Sequence, residues 1–210
     1  MATLKEISRV WNRRFIEVAR ERGLRTVGGY AYVYVDGYVA SVGGYVAQAT
    51  DPYTVSWSAS IKPAELDDIL WAAFMPDLQL SPAKRRSLRV NGAFTSPALD
   101  LERGKVTAPL GEDPGLTLAV MFDRFDDLVT EYLQVAPAPS DFLAQLDARI
   151  PEDEAVRPQA RLRYVLALIA NGRREEAAEL LRVEMAKDKF GPMISSQGRS
   201  VFDHLAESLE

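Results

Sequence analysis

The chain of 210 residues has no cysteine and one histidine, His204. Without cysteine there is no disulfide framework, no thiolate nucleophile and no thiolate metal site. Histidine is the usual proton carrier near neutral pH, and His204 stands among Phe202, Leu205 and Glu207 in a terminal helical stretch, where it reads as structural. Triads of the Ser-His-Asp and Cys-His kinds are therefore poorly supplied. Long apolar runs are also missing: the best candidate, Tyr164 to Ala170, falls far short of the roughly 18 residues of a membrane span. The opening Met1-Ala2-Thr3-Leu4-Lys5-Glu6 lacks the basic start and apolar core of a secretory signal. The absence of cysteine suits a reducing compartment, so a cytoplasmic location is expected. Neither Gly-Gly pair fits a GxGxxG or GxxxxGK[ST] pattern, so no nucleotide cofactor is expected.

What is present is an ordinary globular composition, 47% hydrophobic and 26% charged, enough to bury a core. The net charge of −5 is unevenly spread. Residues 1–105 hold 14 Lys and Arg against 11 Asp and Glu, and residues 106–210 hold 11 against 19. The acidic half disfavours nucleic acid, which needs cationic neutralisation, and would steer a basic protein partner.

Thr3-Leu4-Lys5-Glu6 is a capping box, followed at helical spacing by Leu4, Ile7, Trp11, Phe15 and Val18 and stopped by Gly23. The period then changes to two. Tyr30, Tyr32 and Tyr34 alternate with Ala31, Val33 and Val35 up to Asp36-Gly37, a dipeptide that favours a type I′ hairpin turn. That turn pairs Val35 with Tyr38, Val33 with Ala40, Ala31 with Val42 and Tyr30 with Gly43. Continued outward, it sets Gly29 opposite Gly44 and Gly28 opposite Tyr45, so that each tyrosine covers a facing glycine. Tyr53 to Lys62 is a further strand, with Tyr53, Val55, Trp57, Ala59 and Ile61 on one face and Thr54, Ser56, Ser58, Ser60 and Lys62 on a solvated one.

Pro63 is read as opening a helix whose buried stripe is Leu66, Ile69, Leu70, Ala73 and Phe74, with Asp67-Asp68 complementing its dipole. Leu88-Arg89-Val90 and Ala93-Phe94-Thr95 suggest a second hairpin about Asn91-Gly92, and residues 97–114 a loop. A long helix is expected over 116–134, with Leu118, Met121, Phe122, Phe125, Leu128, Val129 and Tyr132 on its core side. Ala136-Pro137-Ala138-Pro139 marks a stiff linker. Ser140 caps a short helix to Ile150, a new segment begins at Pro151-Glu152-Asp153-Glu154, and a last helix runs from Ser195 to Leu209. Between them, Arg161 to Ala170 and Arg174 to Lys187 form a helical hairpin about Asn171-Gly172. The junction Ala167 to Ala177 resembles that between the two helices of a tetratricopeptide repeat, over 161–187 and one repeat at most, which implies a pair of packed antiparallel helices.

These elements predict an α+β fold: residues 1–135 form an antiparallel sheet with packed helices, and residues 140–210 a helical part. Two clusters are candidates for function. Tyr30, Tyr32, Tyr34 and Tyr45 are amphipathic groups of the kind enriched at interfaces. Asp123, Asp126 and Asp127, with Glu131 one turn on, share a helix face in the way carboxylate metal sites do. A third arrangement, Arg9, Arg13 and Arg20 with Lys84, Arg85, Arg86 and Arg89, raises RNA binding beside a tyrosine-rich sheet, although Glu17 and Glu21 interrupt the helical set and no aromatic-basic ribonucleoprotein motif is present. The expected function is a non-catalytic protein-interaction module without cofactor or resident metal, binding a protein partner rather than nucleic acid or membrane. Small acidic bacterial immunity proteins, which bind and mask a toxin, resemble it in composition. A divalent-metal enzyme built on the aspartate face and a weak RNA binder are the alternatives.

Overall fold

The computed structural model describes residues 3–149, 157–186 and 192–210. The fold is α+β, with a five-stranded antiparallel sheet and eight α-helices among the described residues. The chain divides into two compact units: Met1–Ile61 with Leu99–Pro137, and Lys62–Ala98 with Ala138–Glu210. Residues 62–98 thus group with the C-terminal helices rather than with the sheet. No helix among the described residues is long and apolar enough to cross a membrane.

In the first unit, helix α1 (Leu4–Glu21) begins at the expected capping box, with the Glu6 amide donating to Thr3 Oγ1 and the Thr3 amide donating to Glu6 Oε2. Ile7, Trp11, Phe15 and Val18 are buried, whereas Leu4 is exposed because it precedes the covered stretch. The sheet has the order β1 (Arg25–Val27), β2 (Tyr30–Val35), β3 (Tyr38–Gln48), β4 (Tyr53–Pro63) and β5 (Leu99–Ala108). The β2–β3 register is the predicted one from Val35↔Tyr38 to Tyr30↔Gly43. Asp36 and Gly37 both have positive φ, as a type I′ turn requires.

Beyond Tyr30 the prediction fails. Gly28 and Gly29 do not face Tyr45 and Gly44. Both have positive φ and form a second tight turn, which pairs Val27 with Tyr30 in a three-residue strand β1. A Gly-Gly pair can equally continue a strand or supply the left-handed conformations of a turn.

Helix α4 (Gly115–Val135) carries the predicted buried stripe and meets α1 through Phe15 and Phe122, whose ring centroids are 5.2 Å apart. Tyr132 meets Tyr38 edge to face at 5.6 Å, and Trp11 meets Tyr53 in the same way at 6.4 Å. Helices α1 and α4 therefore cover the sheet face that bears Tyr38, Ala40, Val42 and Tyr53. Each large side chain buried there contributes about 1.5–3 kcal/mol.

The segment read as loop contains β5, which pairs with β4 along Leu99–Ala108 and has a bulge opposite Ala59/Ser60. Charge hides its alternation. Glu102 stands in register with Ala59 on the helix-covered face, and is accommodated there because Arg124 of α4 donates two N–H groups to its Oε2 at 3.0 and 2.7 Å. Charged side chains and a bulge are common devices of an edge strand.

In the second unit, Pro63 ends β4 instead of opening a helix, and α2 runs from Glu65 to Phe74. Its buried residues are Leu66, Asp67, Leu70, Trp71 and Phe74, while Ile69 and Ala73 are half-buried. The covered face is therefore rotated from the expected stripe. The Asn91-Gly92 hairpin is absent: helix α3 spans Pro82–Asn91 behind a Ser81 cap. No α3 residue is buried, so no apolar period could reveal the helix, and only Ser81-Pro82 signals its start.

A 3₁₀ turn (Pro139–Asp141) leads into α5 (Phe142–Arg149). Helices α6 (Pro158–Ala170) and α7 (Arg174–Met185) pack as the expected hairpin about Asn171 and Gly172. The predicted starts and ends at Ile150, Pro151–Glu154 and Lys187 lie outside the described residues. The last helix, α8, is shorter than expected, Val201–Glu207, because Ser200 caps it and pairs with Ile194 in an isolated bridge.

Candidate functional site

The tyrosines predicted to act together part company. Tyr30 is 38% exposed and Tyr45 67%, whereas Tyr32 is only 5% exposed. Tyr34 is half-buried and edge-on to Tyr32 at 6.1 Å. Tyr30 and Tyr45 both line a cleft of about 820 Å³ in the first unit; Tyr32 and Tyr34 do not.

The cleft follows one row across the sheet. The Gly28-Gly29 turn, Tyr30, Gly43, Gly44 and Tyr45 contribute from one side, and Ser56, Trp57, Ser58, Arg103, Gly104 and Lys105 from the other, with Asn12 of α1 completing the lining. Register assigns the faces. Ser56 pairs with Lys105 and Ser58 with Arg103, and the Ser41–Ser60 contact of 3.1 Å places this set on the face of Tyr30. Trp57 and its partner Gly104 belong to the helix-covered face.

Two aromatic rings fill the space of two missing side chains. The Tyr30 ring comes to 2.6 Å from where a β-carbon of Gly43 would sit, and the Trp57 ring to 2.6 Å from that of Gly104. A β-carbon at either position would force a ring to move, the partly exposed Tyr30 at Gly43 and the buried Trp57 at Gly104. The Tyr30–Gly43 contact follows from the hairpin register. Trp57–Gly104 does not follow from the sequence, because the charged residues of β5 hide its strand alternation.

Electrostatically the cleft is cationic. Arg103 and Lys105 line it, and among the described residues no acidic one does. Arg103 forms an exposed ion pair with Asp100, while Lys105 has no ion pair among the described residues. Sequence reasoning passed over both cations for the same reason that it missed β5.

The aspartate face is engaged elsewhere. Arg22 donates to Asp123 at 2.7 Å and to Asp126 at 3.2 Å, and Arg124 donates to Glu131 at 3.2 Å. Asp127 is exposed. Burial raises the Asp126 pKa, opposed by Arg22. No group of three or more His, Asp or Glu placed to hold a metal occurs among the described residues. Of the cations weighed for RNA, Arg85 and Arg89 pair with Asp68.

A second unusual cluster lies in the second unit. Lys62, expected in solvent, is 3% exposed and Asp67 is 0%. Lys62 Nζ donates to Asp67 Oδ1 at 3.0 Å, to the Ser96 carbonyl at 2.8 Å and to Thr95 Oγ1. The Ser96 amide donates to Asp67 Oδ1 at 2.6 Å. Asp67 Oδ2 lies 2.9 Å from Nζ without hydrogen-bond alignment, so the attraction there is that of point charges. Burial lowers the Lys62 pKa, with Asp67 opposing it. Arg89 lies over the Trp71 ring at 5.4 Å, and the Trp71 indole donates to the Phe94 carbonyl at 2.7 Å. The side chains are enclosed and hydrogen-bonded, which makes the cluster a structural clamp on the 94–96 segment rather than a reaction centre. His204 stands edge-on to Phe74 at 5.2 Å, a packing role.

Compared with known proteins, the chain matches no family model, no curated protein and no solved structure.

Proposed function

We propose that the chain is a non-catalytic protein-interaction module whose contact surface is the cleft flanked by Tyr30 and Tyr45. One observation carries this reading: two exposed tyrosines flank the Gly28-Gly29 turn in an open cleft that no acid lines among the described residues. Tyrosine offers contact area with little rotamer freedom to lose, and the open backbone of the Gly28-Gly29 turn, with nothing within 4 Å of a β-carbon at Gly29, lets a partner approach closely. The narrower form of the proposal is a masking protein of the immunity type, cytoplasmic and bacterial, supported by composition alone. A toxin or secretion gene beside this one would favour that form, and a metabolic operon would count against it.

The test is site-specific photo-crosslinking. A photoreactive residue at position 45, compared with one at exposed position 182, is expected to trap a distinct partner. Binding of that purified partner should be lost in Tyr45→Ala and kept in Arg182→Ala. The same products from both positions would overturn the proposal.

A further inference from the structure

We propose that the occupant of the Tyr30/Tyr45 cleft is an extended, acidic segment of a partner protein, an inference that rests on the interaction-module reading. Charge complementarity selects the sign. Among the described residues, Arg103 and Lys105 are the charged groups of the lining, and neither Asp nor Glu lines it. The Arg103–Asp100 pair is exposed, with Arg103 at 74%, so a carboxylate of the partner can replace Asp100 with little change in free energy.

Two hydroxyls add acceptor and donor capacity. The side chains of Ser56 and Ser58 have no hydrogen-bond partner among the described residues. They stand opposite Lys105 and Arg103 in the strand register, so hydroxyl and cation alternate along one face.

The form of the ligand follows from the floor. The Gly28-Gly29 turn leaves open backbone at one end of the row, with nothing within 4 Å of a β-carbon at Gly29, and the cleft crosses strands β2 to β5. An extended chain fits such a surface better than a helix, which would need a groove for its side chains. The tyrosines then pack against its apolar or aliphatic groups, and the cations meet its carboxylates.

Single-stranded nucleic acid is the competing occupant, since tyrosine stacks bases. It is disfavoured because the lining holds two cations among the described residues, and phosphate binding depends on neutralising a run of charges along the backbone.

The experiment is fluorescence anisotropy on the full chain with labelled peptides of about a dozen residues, acidic, neutral or basic but equal in apolar content, and with a single-stranded DNA of similar length. The acidic peptide is expected to bind tightest. Arg103→Glu with Lys105→Glu should weaken it about tenfold, while Arg9→Glu with Arg13→Glu should leave it unchanged. Glutamine at 103 and 105 provides a second variant if charge reversal impairs folding. Equal affinity for neutral or basic peptides, tighter binding of DNA, or insensitivity to both cleft variants would overturn the proposal. A specific partner trapped at position 45 that shows no acidic preference would remove the charge assignment alone. The absence of any such partner would remove the interaction-module reading as well.

Discussion

Tyr30 and Gly43 face each other across β2 and β3, and the tyrosine ring occupies the space that a side chain at Gly43 would need. Trp57 and Gly104 repeat the relationship across β4 and β5. The two differ in what can yield, because Tyr30 is partly exposed while Trp57 is buried.

Gly104→Ala should therefore destabilise by about 1–3 kcal/mol, the usual effect of overpacking a site that cannot relax. Gly43→Ala should lower stability by less than about 1 kcal/mol, since the Tyr30 ring can swing outward. Urea denaturation of the two variants checks the order, and an equal loss would contradict the difference in freedom.

Lys62→Met leaves Asp67 charged and buried, and should destabilise by about 3–5 kcal/mol. Asp67→Ala, which strands Lys62, should do the same. Replacing both with apolar residues should recover much of the loss, so a double-mutant cycle should show strong coupling. Additive losses would mean that the two charges do not act as a pair.

Hydrogen bonds from Thr3 hold the Glu6 carboxyl below its ordinary value of 4.5. A depressed carboxyl pKa contributes stability that is present above the unfolded value and lost as pH falls through the folded one. The first turn of α1 should loosen in that acidic range, and less so in Glu6→Gln. Carboxyl titration by NMR would show it; a Glu6 value at or above 4.5 would contradict the capping-box geometry.

Arg22 competes with any cation for Asp123 and Asp126. Calorimetric titration with manganese should show no saturable binding. Arg22→Ala should change stability by no more than about 1 kcal/mol, because the ion pairs are exposed. Tight manganese binding lost in Asp126→Ala would revive the metal reading.

Local and near-local signals determined a good part of this protein. The Thr3/Glu6 box, the stripe from Ile7 to Val18, the Asp36-Gly37 turn and the stripe of α4 are all readable because each depends on residues a few positions apart. Tyr30 over Gly43 follows from that turn alone. Tertiary structure decided the rest. Whether Gly28-Gly29 extends a strand or turns it depends on whether Arg25–Val27 finds a partner edge. Glu102 of β5 can sit on a covered sheet face because Arg124 meets it from α4, and that contact is invisible between positions so far apart in the chain. Lys62 is buried because Asp67, Thr95 and Ser96 converge on it. The cleft belongs to this second class. Its tyrosines lie in a hairpin legible from the sequence, but its tryptophan, its cations and its last glycine come together only when β5 pairs with β4, since side chains distant in sequence acquire a common face only through strand register.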